Sequence, residues 1–294
     1  MLDAQIQRIL AMLKNDDRES TPVYFGEGWD NRLFLVDDDL ILRIARTPDD
    51  NERLVREART LTAIEPLLPL PVPHVEWVHH PGSDSPLAAM TYRKLSGRSL
   101  DAREVDADAA TVLAPALAEL LDDLHTIPSE TARELGIPTF SPHGWLARHD
   151  DLVEVTREAV RARLDSESFE RFDQWWNEYR SDSVAVDFVS SFIHGDLACE
   201  HVLVEHDPLR VTGVIDFGDA MLADPALDLA GFPDGLAREV LRQTRLAEDA
   251  ERVWRRRSAY RRLGPLHAVK AGIERRDSAL LDEGIAGLRQ RFSA

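Results

Sequence analysis

Cysteine is nearly missing from this chain of 294 residues: Cys199 stands alone, which excludes an internal disulfide framework and any cysteine-rich zinc site and agrees with a reducing compartment. Long apolar runs are missing too, since no stretch approaches the ~18 to 20 uninterrupted apolar residues of a membrane span. The start, Met1-Leu-Asp-Ala-Gln, has neither the basic residues nor the apolar run of a secretory signal. The expected location is therefore cytoplasmic, with no membrane partner. Basic residues are outnumbered 35 to 53 by acidic ones, for a formal net charge of −18. A field of that sign repels nucleic acid and anionic lipid and draws in cationic small molecules. There is no internal repeat and no low-complexity tract. A hydrophobic share of 44% suffices for a sizeable core and for two lobes.

Residues 22 to 45 read as three short antiparallel strands with two turns. The apolar runs are Pro22-Val-Tyr-Phe25, Arg32-Leu-Phe-Leu-Val36 and Leu40-Ile-Leu-Arg-Ile44, broken by Gly26-Glu-Gly-Trp-Asp-Asn31 and Asp37-Asp-Asp39. Leu54, Ala58, Leu61 and Ile64 then recur at helical spacing, which predicts an amphipathic helix over 51 to 68 carrying Glu57. Pro69-Leu-Pro-Val-Pro73 forbids its continuation. Val75 to Val78 and Ala88 to Tyr92 complete a five-stranded sheet. Beyond Leu95-Ser-Gly-Arg98 the pattern becomes long helical segments, over 109 to 125, 151 to 179 and 233 to 292, with breaks near Gly264-Pro265 and Arg276-Asp277. The expected class is α+β and bilobal: a small antiparallel N-terminal lobe with one main helix (1–93) and a larger, mostly helical C-terminal lobe (94–294).

Chemistry concentrates in two segments, Phe192-Ile-His-Gly-Asp-Leu-Ala-Cys-Glu-His-Val-Leu-Val204 and Gly213-Val-Ile-Asp-Phe-Gly-Asp219. Each places an aspartate in a turn after a short apolar strand. Phosphoryl transfer needs one carboxylate to receive the acceptor's hydroxyl proton and another on the cation that bridges the phosphates. The kinase spacing H-x-D-x-x-x-x-N followed by D-F-G supplies both. Asp196 takes the first role and Asp216 the second, with Mg²⁺ as the expected ion. At the fifth position after Asp196 stands His201 in place of asparagine. Imidazole suits softer cations better than Mg²⁺, so His201 either binds the ion or hydrogen-bonds Asp196 or a phosphate oxygen.

In the N-terminal lobe, Gly26 and Gly28 would let backbone N–H groups approach a phosphate, while Arg43 and Glu57 stand where a kinase places its strand cation and helix carboxylate. Thr91, Tyr92 and Arg93 lie at the lobe boundary, where a purine would meet backbone groups. Asp224 reads as a helix N-cap, with Pro225 at the first position, and His125 as a packed helix-end residue.

These residues resemble the aminoglycoside phosphotransferase family, a kinase-like superfamily. The likeness is carried by Gly26-Glu-Gly-Trp-Asp-Asn31, Leu42-Arg-Ile44, Glu57, Leu124-His125, His194-Gly-Asp-Leu197, Gly213-Val-Ile-Asp-Phe-Gly-Asp-Ala220 and Asp224-Pro-Ala-Leu-Asp-Leu-Ala230. It runs nearly the length of the chain. The resemblance implies a protein-kinase-like fold, ATP or GTP as phosphate donor, and Asp196 as base. It also implies Asp216 as metal ligand and Arg43 with Glu57 at the triphosphate; His201 joins Asp216 as an expected metal ligand by its spacing alone. The family usually has Asn at the position of His201 and often Lys at that of Arg43; histidine there is similar to the macrolide phosphotransferase branch. The expected activity is O-phosphorylation of a cationic small molecule, an aminoglycoside antibiotic first, with Asp219 and Glu200 near the acceptor, by a monomer. A macrolide 2'-phosphotransferase, an amino alcohol kinase, and a homologue that binds nucleotide without catalysis are the alternatives.

Overall fold

A computed structural model describes residues 4–13 and 22–293. The first three residues, part of the segment read above for a secretory signal, lie outside that range. Helix α1 (Ala4–Leu13) precedes the strands β1 (Val23–Glu27), β2 (Asn31–Val36) and β3 (Leu40–Ala45); helix α2 (Asn51–Ile64) leads to β4 (Val75–His79) and β5 (Ala89–Arg93). All five strands pair antiparallel in the order β1-β2-β3-β5-β4.

Alternation along the strands sends side chains to opposite faces. Ile41, Met90 and Tyr92 meet Leu54, Ala58, Leu61 and Ile64 of α2. Phe34, Val36, Leu42 and Ile44 meet Ile6, Ile9 and Leu10 of α1. Helix α1 was not foreseen, although Ile6, Ile9 and Leu10 carry the helical spacing. Each buried Val, Leu, Ile, Phe or Met among them contributes roughly 1.5–3 kcal/mol on leaving water. Thr47 starts the turn into α2 by exchanging bonds with Asp50: both its N–H and its Oγ1 donate to Oδ2, at 2.9 and 2.7 Å.

After β5 the short β6 (Arg98–Ser99) leaves the sheet and pairs with a strand of the helical part. That part comprises α3 (Ala107–His125), α4 (Ser129–Glu134), α5 (Pro142–Arg163), α6 (Ser166–Ser181), α7 (Asp234–Leu241), α8 (Ala250–Leu263), α9 (Pro265–Arg275) and α10 (Ser278–Phe292). The breaks before α9 and α10 fall at Gly264 and Arg276, as the sequence implies. The expected helix over 151 to 179 is two helices, α5 and α6, parted at Leu164-Asp165, where both residues are extended and Asp165 caps α6 by accepting from Ser168.

Between α6 and α7 lie four strands: β7 (Ser191–Ile193), β8 (Val202–His206), β9 (Leu209–Val214) and β10 (Met221–Ala223). β7 pairs with β10, and β6, β8 and β9 form a small sheet. These two pairings bring together the segments that carry Asp196 and Asp216. Among the described residues, no helix is long and apolar enough to cross a membrane.

Candidate active site

The chain leaves β7 through His194, Gly195 and Asp196. Gly195 has φ 85°, and a Cβ there would lie 2.2 Å from the carbonyl oxygen of Asp219, so only glycine fits between the two loops. The buried Asp228 holds this turn from beneath, accepting from the N–H of His194 at 3.0 Å and of Gly195 at 2.9 Å. His125, at the end of α3, places Nε2 3.2 Å from the same carboxylate. His194 is itself a pin: its Nε2 donates to the Ile215 carbonyl at 3.0 Å, and its Nδ1 accepts from the Asp196 N–H at 3.3 Å. Burial holds its ring below the ordinary imidazole range, in keeping with a neutral tautomer that donates from one nitrogen and accepts at the other.

Asp196 is an exposed residue of this turn. Desolvation, with Asp219, Asp216 and Glu200 nearby, outweighs His201 and pushes its carboxyl up to about 7. Asp216 follows β9 in the left-handed region, φ 70° and ψ 62°, a conformation uncommon outside glycine and one that turns its carboxylate out of the strand. Burial opposes its charge, but Arg43, His201 and His194 prevail and hold it below the usual carboxylate range. His201 sits between the two aspartates. Its Nδ1 donates to the Asp196 carbonyl at 2.7 Å, and its Nε2 stands 3.6 Å from Asp216 Oδ2.

From the sheet, Arg43 donates to Glu57 Oε1 at 2.6 Å and reaches Asp216 Oδ1 at 3.3 Å. Desolvation works against the Arg43 charge, yet the two carboxylates keep the guanidinium above its ordinary range. Burial pushes Glu57 up to about 7 against the pull of Arg43. Arg53, one turn before Glu57 on α2, pairs with Asp30 at 2.7 Å and with Asp219.

Asp196, His201, Asp216, Arg43, Glu57 and Asp219 thus converge, and Glu200 joins the rim as an exposed residue of the turn Cys199–His201. Gly26 lies at a bulge in β1 and Gly28 in the turn that follows, its N–H donating to the Asn31 carbonyl at 2.9 Å. A Cβ at Gly26 would meet nothing within 4 Å, so what the missing side chain leaves clear is open space. Thr91 and Tyr92 are buried in β5 with register partners on both sides, Leu42 and Trp77 for one, Ile41 and Val75 for the other. Arg93 is exposed and engages Asp39 and Glu76 at 2.7 and 2.9 Å, apart from the acidic cluster. Sequence reasoning missed the role of the His125–Asp228 pair and of Arg53. The Asp224 motif carried a signal for the first; the spacing of Arg53 to Glu57 carried one for the second.

An antiparallel sheet with a helix on each face, set against a helical part that presents two aspartate turns, is the kinase-like phosphotransfer fold. The chain belongs to the phosphotransferase enzyme family (APH), which matches residues 23–266. Its fold is that of a GDP complex of wild-type aminoglycoside 2'-phosphotransferase-IIIa, with 24% identity, 98% of each chain covered and a TM-score of 0.85. A GDP and kanamycin complex of APH(2")-IIIa gives 22% identity, 97% of each chain and a TM-score of 0.84. The apoenzyme of macrolide 2'-phosphotransferase MphH from Brachybacterium faecium gives 23% identity, 97% of this chain and 98% of that one, and a TM-score of 0.73. An uncharacterised protein of Bacillus subtilis (strain 168), YcbJ, is 33% identical over 113 residues, 38% of this chain and 34% of that protein. The alignment therefore spans about a third of that relative's length.

Proposed function

We propose that the chain transfers a phosphoryl group from ATP or GTP to a hydroxyl of a cationic, sugar-containing small molecule, an aminoglycoside-type antibiotic before others. The observation that carries this reading is the convergence of Asp196 and Asp216 with the Arg43–Glu57 pair. Residues 1–93 then serve the donor, and residues 94–294 serve catalysis and the acceptor.

Asp196 would accept the acceptor's hydroxyl proton at its carboxylate as the oxygen attacks, which requires the ionised form at the moment of transfer. Arg43, kept charged and oriented by Glu57, would donate to phosphate oxygens and offset the charge that develops there. The open space beside Gly26 would let a phosphate approach the backbone of the β1–β2 turn. His194 and Asp228 hold the Asp196 turn by its backbone, so the base keeps its position without strain on its own side chain.

A divalent cation fits the residues present. A carbonyl can only accept, so the Nδ1 of His201 carries a proton, and its Nε2 faces the Asp216 carboxylate at a separation too long for a hydrogen bond. An imidazole nitrogen that can ligate when unprotonated, set opposite a carboxylate, suits a cation, and Asp216 and His201 would hold it, with phosphate and water as its other ligands. When bound, such an ion neutralises donor phosphate charge. Glu200 and Asp219 would attract amines of the acceptor.

The test is turnover by the purified chain with ATP and separately with GTP, over Mg²⁺ or Mn²⁺, against panels of aminoglycosides, macrolides and amino alcohols. Mass spectrometry should find an aminoglycoside one phosphate heavier. A macrolide product would move the acceptor class. Nucleotide binding with no phosphorylated product from any panel would overturn the reading.

A further inference from the structure

Arg53 and Glu57 lie four residues apart on α2 and therefore share a face, the one turned to the Asp216 loop. Glu57 is spent on Arg43. Arg53 has no counterpart in the reaction scheme above, yet its guanidinium joins two separate loops. Nη1 contacts Asp30 Oδ2 at 2.7 Å, in the turn between β1 and β2, and Nη2 donates to Asp219 Oδ2. Gly218 makes the approach possible: a Cβ there would stand 3.3 Å from Arg53 Nε and 3.2 Å from Glu57 Oε2.

The β1–β2 turn is held at further points. Arg46 donates from Nη1 to the Gly28 carbonyl at 3.2 Å and from its N–H to the Asp30 carbonyl at 2.9 Å. Trp29, half exposed, lies under the guanidinium of Arg275, the last residue of α9, at 4.7 Å from the ring centroid. The turn thus touches α2 by an ion pair and the helical part by a cation–π contact. Asp30 is two residues beyond Gly28, and Asp219 is three beyond Asp216. One guanidinium therefore ties the β1–β2 turn directly to the loop that follows Asp216.

We propose that Arg53 is a positioning residue, an ionic clasp that holds the β1–β2 turn down on the Asp216 loop and so shapes the site for the donor's phosphate chain. The same bond fixes Asp219 by one oxygen and leaves its other oxygen for the acceptor. Lysine would not replace it, because a single ammonium on a flexible stem lacks the planar fork that engages two carboxylates in fixed directions. The proposal rests on the reading of the cleft as a nucleotide site, so its test reads nucleotide affinity first.

Binding of ATP and of GTP, each with Mg²⁺, is measured by calorimetry for the full chain and for Arg53→Gln, Arg53→Lys, Asp30→Asn and the Arg53→Gln/Asp30→Asn pair, with melting temperatures alongside. The clasp predicts that Arg53→Gln and Asp30→Asn each weaken binding by about ten-fold, that Arg53→Lys falls between wild type and Arg53→Gln, and that the double variant is no worse than Arg53→Gln, because its two changes open the same contact. A scaffold role for Arg53 alone would lower its melting temperature and leave Asp30→Asn at wild-type affinity; that result, or losses that multiply in the double variant, overturns the clasp. If Arg53→Gln fails to fold, Asp30→Asn decides by itself. Absence of nucleotide binding by the wild-type chain would overturn the donor-site reading and the clasp with it.

Discussion

The Nε2 of His201 faces Asp216 Oδ2 across 3.6 Å, while its Nδ1 is committed to the carbonyl of Asp196. The backbone of the candidate base therefore orients the candidate metal ligand, a coupling of the kind that fixes imidazole tautomers at metal centres. Imidazole favours Mn²⁺ relative to Mg²⁺ more than an amide oxygen does. His201→Asn should shift the ratio of activity in Mn²⁺ to activity in Mg²⁺ toward Mg²⁺ by roughly ten-fold, and His201→Ala should raise the concentration of either ion needed for half-maximal rate. Steady-state rates titrated with each cation check both.

Asp196→Asn removes the proposed proton acceptor and keeps the size and hydrogen-bonding reach of the side chain. The turnover number should fall by about 10²- to 10⁴-fold, the usual contribution of a positioned base. Nucleotide affinity should stay close to that of wild type, since the substitution leaves Arg43, Asp216 and the glycine turn in place. Turnover within a few-fold of wild type would refute the assignment.

Asp228 touches neither proposed substrate, but it anchors both N–H groups that begin the Asp196 turn. Asp228→Asn keeps one oxygen for two donors, and its amide replaces an acceptor with a donor, leaving a buried N–H without its partner. The turnover number should drop by about one to two orders of magnitude, in line with the cost of a small misplacement of catalytic groups. Nucleotide affinity should not change, and that split, read from kcat against calorimetric Kd, separates a positioning role from general loss of the fold.

His149 gives a stability prediction. Its buried ring donates from Nδ1 to the Trp145 carbonyl at 2.9 Å and stacks on Tyr260 at 5.4 Å. Burial pushes the imidazole down to about 4 from the ordinary 6.5, so the folded state favours the neutral ring. The unfolded chain then binds more protons between those values. The associated stability is complete above pH 6.5 and is lost as the pH falls from there toward 4, a change of about 3 kcal/mol from the size of the shift. Thermal melts across that interval should show a flatter acid limb for His149→Gln than for wild type.

The strands before residue 45, the helix that carries Glu57, and the breaks at Gly264 and Arg276 were legible because period, proline and glycine act over a few residues. The same holds for Asp224, whose side chain accepts from the Ala226 N–H at 3.0 Å as an N-cap should. Thr91 and Tyr92 were harder to place. Their strand is legible in the sequence, but their enclosure between β3 and β4 depends on a sheet order in which β5 lies inside and β4 at the edge.

The sequence by itself determined which chemistry this chain can carry. The histidine, glycine and aspartate of one turn and the aspartate, phenylalanine and glycine of the other sit beside short apolar strands, and local backbone preferences then put both carboxylates in turns. Only the tertiary structure decided what surrounds them. Asp228 reaches back to His125 across 103 residues, Arg43 reaches Asp216 across 173, and Arg53 joins a turn of the sheet to a loop of the helical part. Such pairings are set by the burial of apolar faces, which is blind to the order of residues along the chain, and so they cannot be read from spacing alone.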